Sequence, residues 1–297
     1  MQRETEKSIR IGGSLLELER PLVMAIVNAT PDSFWAGSRT PDAEELRRRV
    51  AQCREQGADI LDIGGYSTRP GADCVSADEE MKRLATALQA AREVWPEAVI
   101  SVDTFRASVA RECVEQFGVA IINDVSGGTL DPEMYAAVAE MRCAYVLMHM
   151  RGTPSDMQQL TDYGDVAADV LSDLMHKVSR LRDMGVADII LDPGFGFAKT
   201  IEQNYRLLAC LEAFADTGMP VLAGLSRKSM IWRKFGITPA ESLPATAALN
   251  MAALERGADI LRVHDVAEGR QVVDMYLELR REAPRPDKIE YFHHPHC

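Results

Sequence analysis

The chain has 297 residues, 46% of them hydrophobic and 26% charged, a balance that fits a soluble globular protein long enough to bury a sizeable core. Its net charge of −12 argues against a nucleic-acid or anionic-membrane partner, yet leaves room for an anionic substrate in a local cationic cleft. Cys53, Cys74, Cys113, Cys143, Cys210 and Cys297 form no C-x-x-C pair, which speaks against a zinc site or a disulfide framework. The charged start lacks the apolar core of a signal peptide, and no apolar run is long enough to span a bilayer. A reduced, cytoplasmic setting is expected.

Residues 1–20 read as a lead-in strand or hairpin that closes a barrel floor. An apolar run at 22–27 predicts the first buried strand, and a helical period follows over 42–56. Then comes Gly57-Ala-Asp-Ile-Leu-Asp-Ile-Gly64, a phrase that returns as Val186-Ala-Asp-Ile-Ile-Leu-Asp-Pro193 and as Gly257-Ala-Asp-Ile-Leu-Arg-Val-His264. Each copy reads as the end of a helix, a buried parallel strand and a polar loop. Further strands are predicted at 98–102, 119–122, 144–148 and 220–223, and further helices at 77–94, 163–184 and 240–256. Eight strands alternating with helices predict a single-domain α/β fold, a (β/α)₈ TIM barrel over residues 21–282. An open doubly wound sheet is the rival architecture. Residues 283–297, rich in proline and histidine, read as a loose tail.

Active sites of such barrels lie on the loops after the strands. All eight strand ends here carry polar groups that packing does not require. One set comprises Asp103, Asn123, Asp192 and Lys228, suited to a flat heterocycle rich in N–H and C=O groups. A second comprises Asn28, Thr68, Arg69, Arg262 and His264, suited to phosphate oxygens. Val125 and Met148 are core residues of any barrel and also candidates for an apolar wall of the ring pocket. Together the sets point to a heterocycle that carries a phosphate ester.

Asn28-Ala-Thr-Pro-Asp-Ser-Phe34 resembles the first signature of the dihydropteroate synthases, and Asp62-Ile-Gly-Gly-Tyr-Ser-Thr-Arg-Pro-Gly71 the second. Ser101-Val-Asp-Thr104, Ile122-Asn-Asp-Val-Ser-Gly-Gly128, Leu191-Asp-Pro-Gly-Phe-Gly-Phe197, Gly224-Leu-Ser-Arg-Lys-Ser229 and Leu261-Arg-Val-His264 match the rest in order. The resemblance covers roughly residues 20–280 and implies a transferase of folate biosynthesis, joining a pterin pyrophosphate to p-aminobenzoate. It also implies magnesium, a homodimer and sensitivity to sulfonamides. By the same resemblance, Asp103, Asn123, Val125, Met148, Asp192, Gly224 and Lys228 surround the pterin ring. Asn28, Thr68, Arg69, Arg262 and His264 hold pyrophosphate, with Asn28 also at the magnesium ion. Thr68, Pro70, Phe197 and Ser226 line the p-aminobenzoate site, over which Phe34 closes on a mobile loop. Asp103, Asp192, Lys228, Arg262 and His264 are the expected catalytic set. The amine pocket is expected to be incomplete until the pterin substrate or pyrophosphate is bound.

The chain departs from the commonest family pattern at Ala29, at Trp35-Ala-Gly-Ser-Arg39 and at Tyr66, where many members have glutamate. Plainer readings exist beside the functional ones. Asp103 and Asp192 can serve as helix caps, Asn123 as a turn former, and Lys199 and Lys228 as solvated surface lysines. Asp62 and Asp124 read as structural, and His149 as a support for its loop. The stretch Gly194-Phe-Gly-Phe-Ala-Lys-Thr200 falls short of a phosphate-binding loop, because no glycine precedes the lysine. Two rival functions are a methyltetrahydrofolate–corrinoid methyltransferase and an inactive pterin-binding protein. The first has no need of the Asn28 and Thr68–Pro70 motifs, and the second no need of a filled catalytic set.

Overall fold

The computed structural model describes residues 7–29, 43–66 and 75–283. The first two strands, β1 (Ser8–Ile11) and β2 (Ser14–Glu17), pair antiparallel. Gly12 and Gly13 join them, both at positive φ (51° and 88°), the backbone that a two-residue hairpin turn demands. Eight parallel strands follow among the described residues: β3 (Leu22–Asn28), β4 (Ile60–Gly64), β5 (Val99–Asp103), β6 (Ile121–Asp124), β7 (Ala144–Met148), β8 (Ile189–Asp192), β9 (Leu222–Ala223) and β10 (Ile260–Val263). They pair in chain order from β3 to β8, and β10 pairs with both β3 and β9. A bridge from Leu191 to Val221, with Leu191 N–H donating to Pro220 O at 2.8 Å, joins β8 to the β9 segment. The sheet is a closed (β/α)₈ barrel, and no reversal of strand order remains to support a doubly wound sheet.

Helices α1 (Ala43–Glu55), α2 (Ala77–Val94), α3 (Ala107–Phe117), α4 (Met134–Met141), α5 (Val166–Asp183), α6 (Ile201–Ala209), α7 (Glu212–Ala215), α8 (Ser229–Phe235), α9 (Leu243–Glu255) and α10 (Val266–Glu282) surround the strands. Two of them start later than their hydrophobic period predicts. The helix expected from residue 163 begins at Val166, because the Asp165 side chain accepts from the N–H groups of Ala167 and Ala168 and caps it. Tyr163, left outside, donates its hydroxyl to Ala198 O. The helix expected from residue 240 passes first through a 3₁₀ turn at Ala240–Ser242, and α9 then begins with Pro244 in its first turn, where a missing N–H costs nothing. No helix of the described residues is long and apolar enough to cross a membrane.

Strand periodicity sets what faces where. One parity (Val23, Ala25, Leu61, Ile63, Ile100, Val102 and their equivalents) packs outward against the helices. The other parity points inward. Near the start of the strands it supplies Leu22, Met24, Ile60, Ile121, Val146, Ile190 and Ile260, an apolar floor. Further along, the same parity supplies Asn28, Asp62, Ser101, Asp103, Asn123, Met148, Asp192 and Arg262. The interior therefore grades from hydrocarbon at one end to charge at the other.

The hairpin of β1 and β2 joins this floor through Ile9, which is buried in the inner apolar cluster. The Lys7 ammonium is also buried, donating to Met219 O at 2.9 Å and to Asp259 Oδ2 at 2.8 Å. Removing one partner of a buried ion pair leaves an uncompensated charge and costs about 3 kcal/mol or more. Lys7→Met is expected to lower the melting temperature by about 5 °C for a chain of this size. An unchanged melting curve would mean that the lead-in segment is not held by this pair.

Candidate active site at the C-terminal end of the barrel

A cavity of about 930 Å³ opens at the polar end of the barrel. Asp103, Asn123, Asp192 and Lys228 line it together, as do Val125, Met148 and Phe197. Asn28, Ser226, Arg262 and His264 also face it. Gly224 belongs to the same wall, and a Cβ added there would meet no atom within 4 Å. Phe34, Thr68, Arg69 and Pro70 lie outside the described residues, as does Trp35.

The floor of the cavity is organised by Asp62, a residue read from sequence as structural. It is fully buried and accepts three hydrogen bonds. Ser101 Oγ donates to Oδ1 at 2.7 Å, while Asn123 Nδ2 (3.0 Å) and Arg262 Nε (2.6 Å) donate to Oδ2. Arg262 Nη2 reaches on to Asp103 Oδ2 at 2.8 Å. One guanidinium thus bridges two carboxylates, so Arg262 links the ring set to the anion set. Its charge is firmly held: burial opposes the cation, but Asp62 and Asp103 outweigh burial and move its pKa up.

Asp62 also fixes the Asn123 amide. A carboxylate accepts only, so the NH₂ must face it and the carbonyl must turn away. Asn123 Oδ1 is buried and has no hydrogen-bond partner among the described residues. An unpaired buried acceptor costs about 1–3 kcal/mol, which a ligand N–H would recover. The turn-former reading of Asn123 is thereby set aside. Asp192 is arranged in a similar way. Its Oδ1 accepts from Gly194 N–H at 2.7 Å, and Oδ2 has no hydrogen-bond partner among the described residues. Burial raises its pKa, with the Gly194 N–H and Lys228 opposing. Neither Asp103 nor Asp192 caps a helix: Arg106 and Thr200 occupy the N-cap positions of α3 and α6.

Lys228 is not a solvated surface lysine. Its ammonium lies 4.3 Å from the centroid of the Phe197 ring, and burial brings its pKa down to about 8, helped by Arg262 and opposed by Asp192 and Asp103. Lys199 is buried as well, against the surface reading. His264 is pushed down to about 4 by burial, with Arg262 adding to the effect, so it is neutral at pH 7. Ser226 Oγ accepts from His264 N–H (3.2 Å) and lies 3.0 Å from Nδ1. Its own hydrogen can go to Nδ1, which leaves Nε2–H as a neutral donor to an anion.

The sequence reading missed Asp62 and Ser101 as members of this network. The available signal was parity: both share the inward register of Asp103. It also missed Trp232 and Gln158, which line the outer cavity from segments away from the strand ends. Tyr66, noted only as a departure, lines the cavity too, edge-on to Phe105 at 5.2 Å and 5.4 Å from the Arg106 guanidinium. Asp124 is structural, as read: it accepts from Ser126 and Gly128 N–H and from the Tyr145 hydroxyl.

The Asp103 carboxyl sets a pH dependence. Burial pushes it up to about 7, with Arg262 opposing and Asp62 adding to the rise. Only the ionised form is a pure acceptor for ligand N–H groups, so affinity for an N–H-rich ring should increase as pH rises through 7. Between about pH 6 and about pH 7.5 the ionised fraction of such a group grows roughly eightfold, and the affinity should tighten by a similar factor. Calorimetric titration across that range measures it, and Asp103→Asn should flatten the profile. A flat profile in the unmodified protein would remove Asp103 from contact with the ring.

Residues 24–264 match the family described as pterin binding enzyme. The dihydropteroate synthase of Synechocystis sp. is 43% identical over 257 residues, covering 86% of this chain and 88% of the relative. Among solved structures, Xanthomonas albilineans dihydropteroate synthase with 4-aminobenzoic acid superposes with a TM-score of 0.86 at 38% identity, covering 94% of this chain and all of that one. The Yersinia pestis dihydropteroate synthase in a sulfonamide drug complex gives a TM-score of 0.87 at 35% identity, with coverages of 93% and 100%.

Proposed function

The chain belongs to the pterin-binding enzyme family and acts as a dihydropteroate synthase, a transferase of folate biosynthesis, and from that premise we propose how its residues divide the reaction. The substrates are 6-hydroxymethyl-7,8-dihydropterin pyrophosphate and p-aminobenzoate. Asp192, Asn123 and Asp103 accept hydrogen bonds from the pterin ring, and Lys228 donates to it. The unpartnered Asn123 Oδ1 carries this reading, since its one remaining need is an N–H from a ligand. Gly224 leaves room for the ring, and Val125 and Met148 supply the apolar wall.

In the reaction the C–O bond to the methylene carbon breaks, pyrophosphate leaves, and the aromatic amine nitrogen bonds to that carbon and sheds a proton. The ring shares the positive charge that develops. Asp103 and Asp192 stabilise it, and Arg262 with the His264 N–H stabilises the departing anion. Thr68 and Arg69 are assigned to the same anion from their motif. The amine is neutral near pH 7 and needs positioning rather than a strong base, a task given to Phe197 and Ser226 together with Phe34, Thr68 and Pro70. The same wall would receive a sulfonamide, in line with the Yersinia pestis relative solved in a sulfonamide drug complex.

Asn28 ends β3 at the cavity and offers a hard amide oxygen. Among the described residues no group of three His, Cys, Asp or Glu side chains could hold a metal ion. Magnesium keeps several waters and binds substrate phosphates, so the pyrophosphate itself would be its main anchor. Asn28 would hold the ion, and the ion when bound supplies further neutralisation of the pyrophosphate charge.

The assembly is a homodimer. Helix α9 supports this, because Leu243–Glu255 carries no charge before its last residue. Beside it, α10 exposes Met275 and Leu279, one helical turn apart. Sedimentation analysis tests the dimer, and a monomer at micromolar concentration would overturn it. We place the enzyme in the cytoplasm, in keeping with Cys53, Cys113, Cys143 and Cys210, which are all free thiols. The function itself is tested by incubating both substrates with magnesium. Dihydropteroate and pyrophosphate should form in equal amounts, and no product would overturn the assignment.

A further inference from the structure

The loop between β8 and α6 has an unusual backbone. Gly194, Gly196 and Ala198 all lie at positive φ (70°, 83° and 50°), every second residue through the turn. For Ala198 this region is unfavourable by roughly 1 kcal/mol, so surrounding structure must hold it there. The loop also dovetails against the end of β7, since a Cβ on Gly194 would come within 2.1 Å of His149 O.

At its centre sits Lys199, 4% exposed. Nζ donates to Gly194 O at 2.9 Å and to Phe197 O at 3.0 Å, and lies 3.1 Å from His149 Nδ1. An ammonium has three donors, and here all three are engaged within one loop and its neighbour. His149 is a neutral acceptor: burial, with Lys199 beside it, pushes its pKa down to about 2. His149 N–H in turn donates to Asp192 O at 3.0 Å. Burial lowers the Lys199 ammonium to about 7, with the Asp192 carboxylate opposing.

We propose that Lys199 is a positioning residue for the amine half of the reaction: by drawing the Gly194 and Phe197 carbonyls and the His149 imidazole onto one ammonium, it fixes the Phe197 ring beside the Lys228 ammonium. This rests on the reading of Phe197 as part of the p-aminobenzoate wall. Of the pterin acceptors only Asp192 touches the loop, through the Gly194 N–H. Asp103, Asn123 and Asp62 stand on β4 to β6 and hold one another through Arg262.

The test compares Lys199→Met, which keeps the aliphatic stem, with Phe197→Ala in the full chain. In Lys199→Met, KM for p-aminobenzoate should rise about tenfold or more, while the Kd of a pterin ligand changes by less than about threefold. Phe197→Ala should raise the same KM. An unchanged amine KM in Lys199→Met, or an equal weakening of both ligands, overturns the proposal. If Phe197→Ala leaves the amine KM unchanged, the reading of Phe197 fails and takes the proposal with it. Should Lys199→Met not fold, His149→Phe replaces it, since it removes one of the three acceptors. A several-fold rise in amine KM alone supports the proposal, and no rise overturns it.

Discussion

Replacing Asp192 with asparagine should cost about 10²-fold or more in kcat/KM, as the loss of a buried charged hydrogen bond does. The geometry explains why so small a change is so damaging. Asp192 Oδ1 accepts from the Gly194 N–H, and that demand persists in the variant. The asparagine carbonyl must satisfy it, which turns the NH₂ group toward the position of Oδ2. A donor then meets the ring N–H that needs an acceptor, and the negative charge that stabilises the electron-poor ring is lost as well. Steady-state kinetics with both substrates measure the effect. A variant within a few-fold of the unmodified enzyme would reduce Asp192 to a support for the turn at Gly194.

Arg262→Lys should weaken binding of the pterin pyrophosphate by about 30-fold or more, although the substitution keeps the charge. The guanidinium donates to Asp62 from Nε and to Asp103 from Nη2, two carboxylates on adjacent strands. An ammonium is a single point and cannot satisfy both while also facing an anion. One carboxylate is then left buried without its partner, and Asp62, with no exposure at all, is the worse one to strand. The orientation of Asn123 depends on the same oxygen of Asp62, so the damage extends to the ring pocket. The variant should remain folded with a lowered melting temperature. Calorimetry that finds the affinity unchanged would remove Arg262 from the site.

Much of this was legible in the sequence, for physical reasons. A parallel barrel buries its strands on both faces, so they stand out as short apolar runs, and the run at Ala144–Met148 carries its observed boundaries. Such runs end in polar residues only where the interior opens, which exposed Asp103, Asn123, Asp192 and Arg262 as one group. Depth along the strand was harder to read. Asp62 and Asp103 are both carboxylates of barrel strands, yet one is an anchor beneath the cavity and the other lines it. Only the register between neighbouring strands, with Gly64 opposite Asp103 and Asp62 opposite Ser101, separates them. The burial of Lys199 is not legible, because a lysine near a turn is usually solvated and nothing local announces that His149, fifty residues earlier, is waiting to receive it. The strand expected over 220–223 is reduced to Leu222–Ala223, because Val221 makes only a single bridge to β8.

The glycines at the mouth of the barrel separate two kinds of intolerance. At Gly127 and Gly194 a methyl group would collide with the carbonyls of Met148 and His149, at 2.3 Å and 2.1 Å, so a change there damages the protein before it can damage the chemistry. At Gly224 the same methyl group would meet nothing and would project into the space reserved for the ligand. Alanine at Gly224 therefore leaves the scaffold undisturbed and makes the pocket shallower. The first two positions guard the architecture, whereas the third guards only the guest. Gly224→Ala is therefore expected to fold as the unmodified chain does and to bind a pterin ring less tightly.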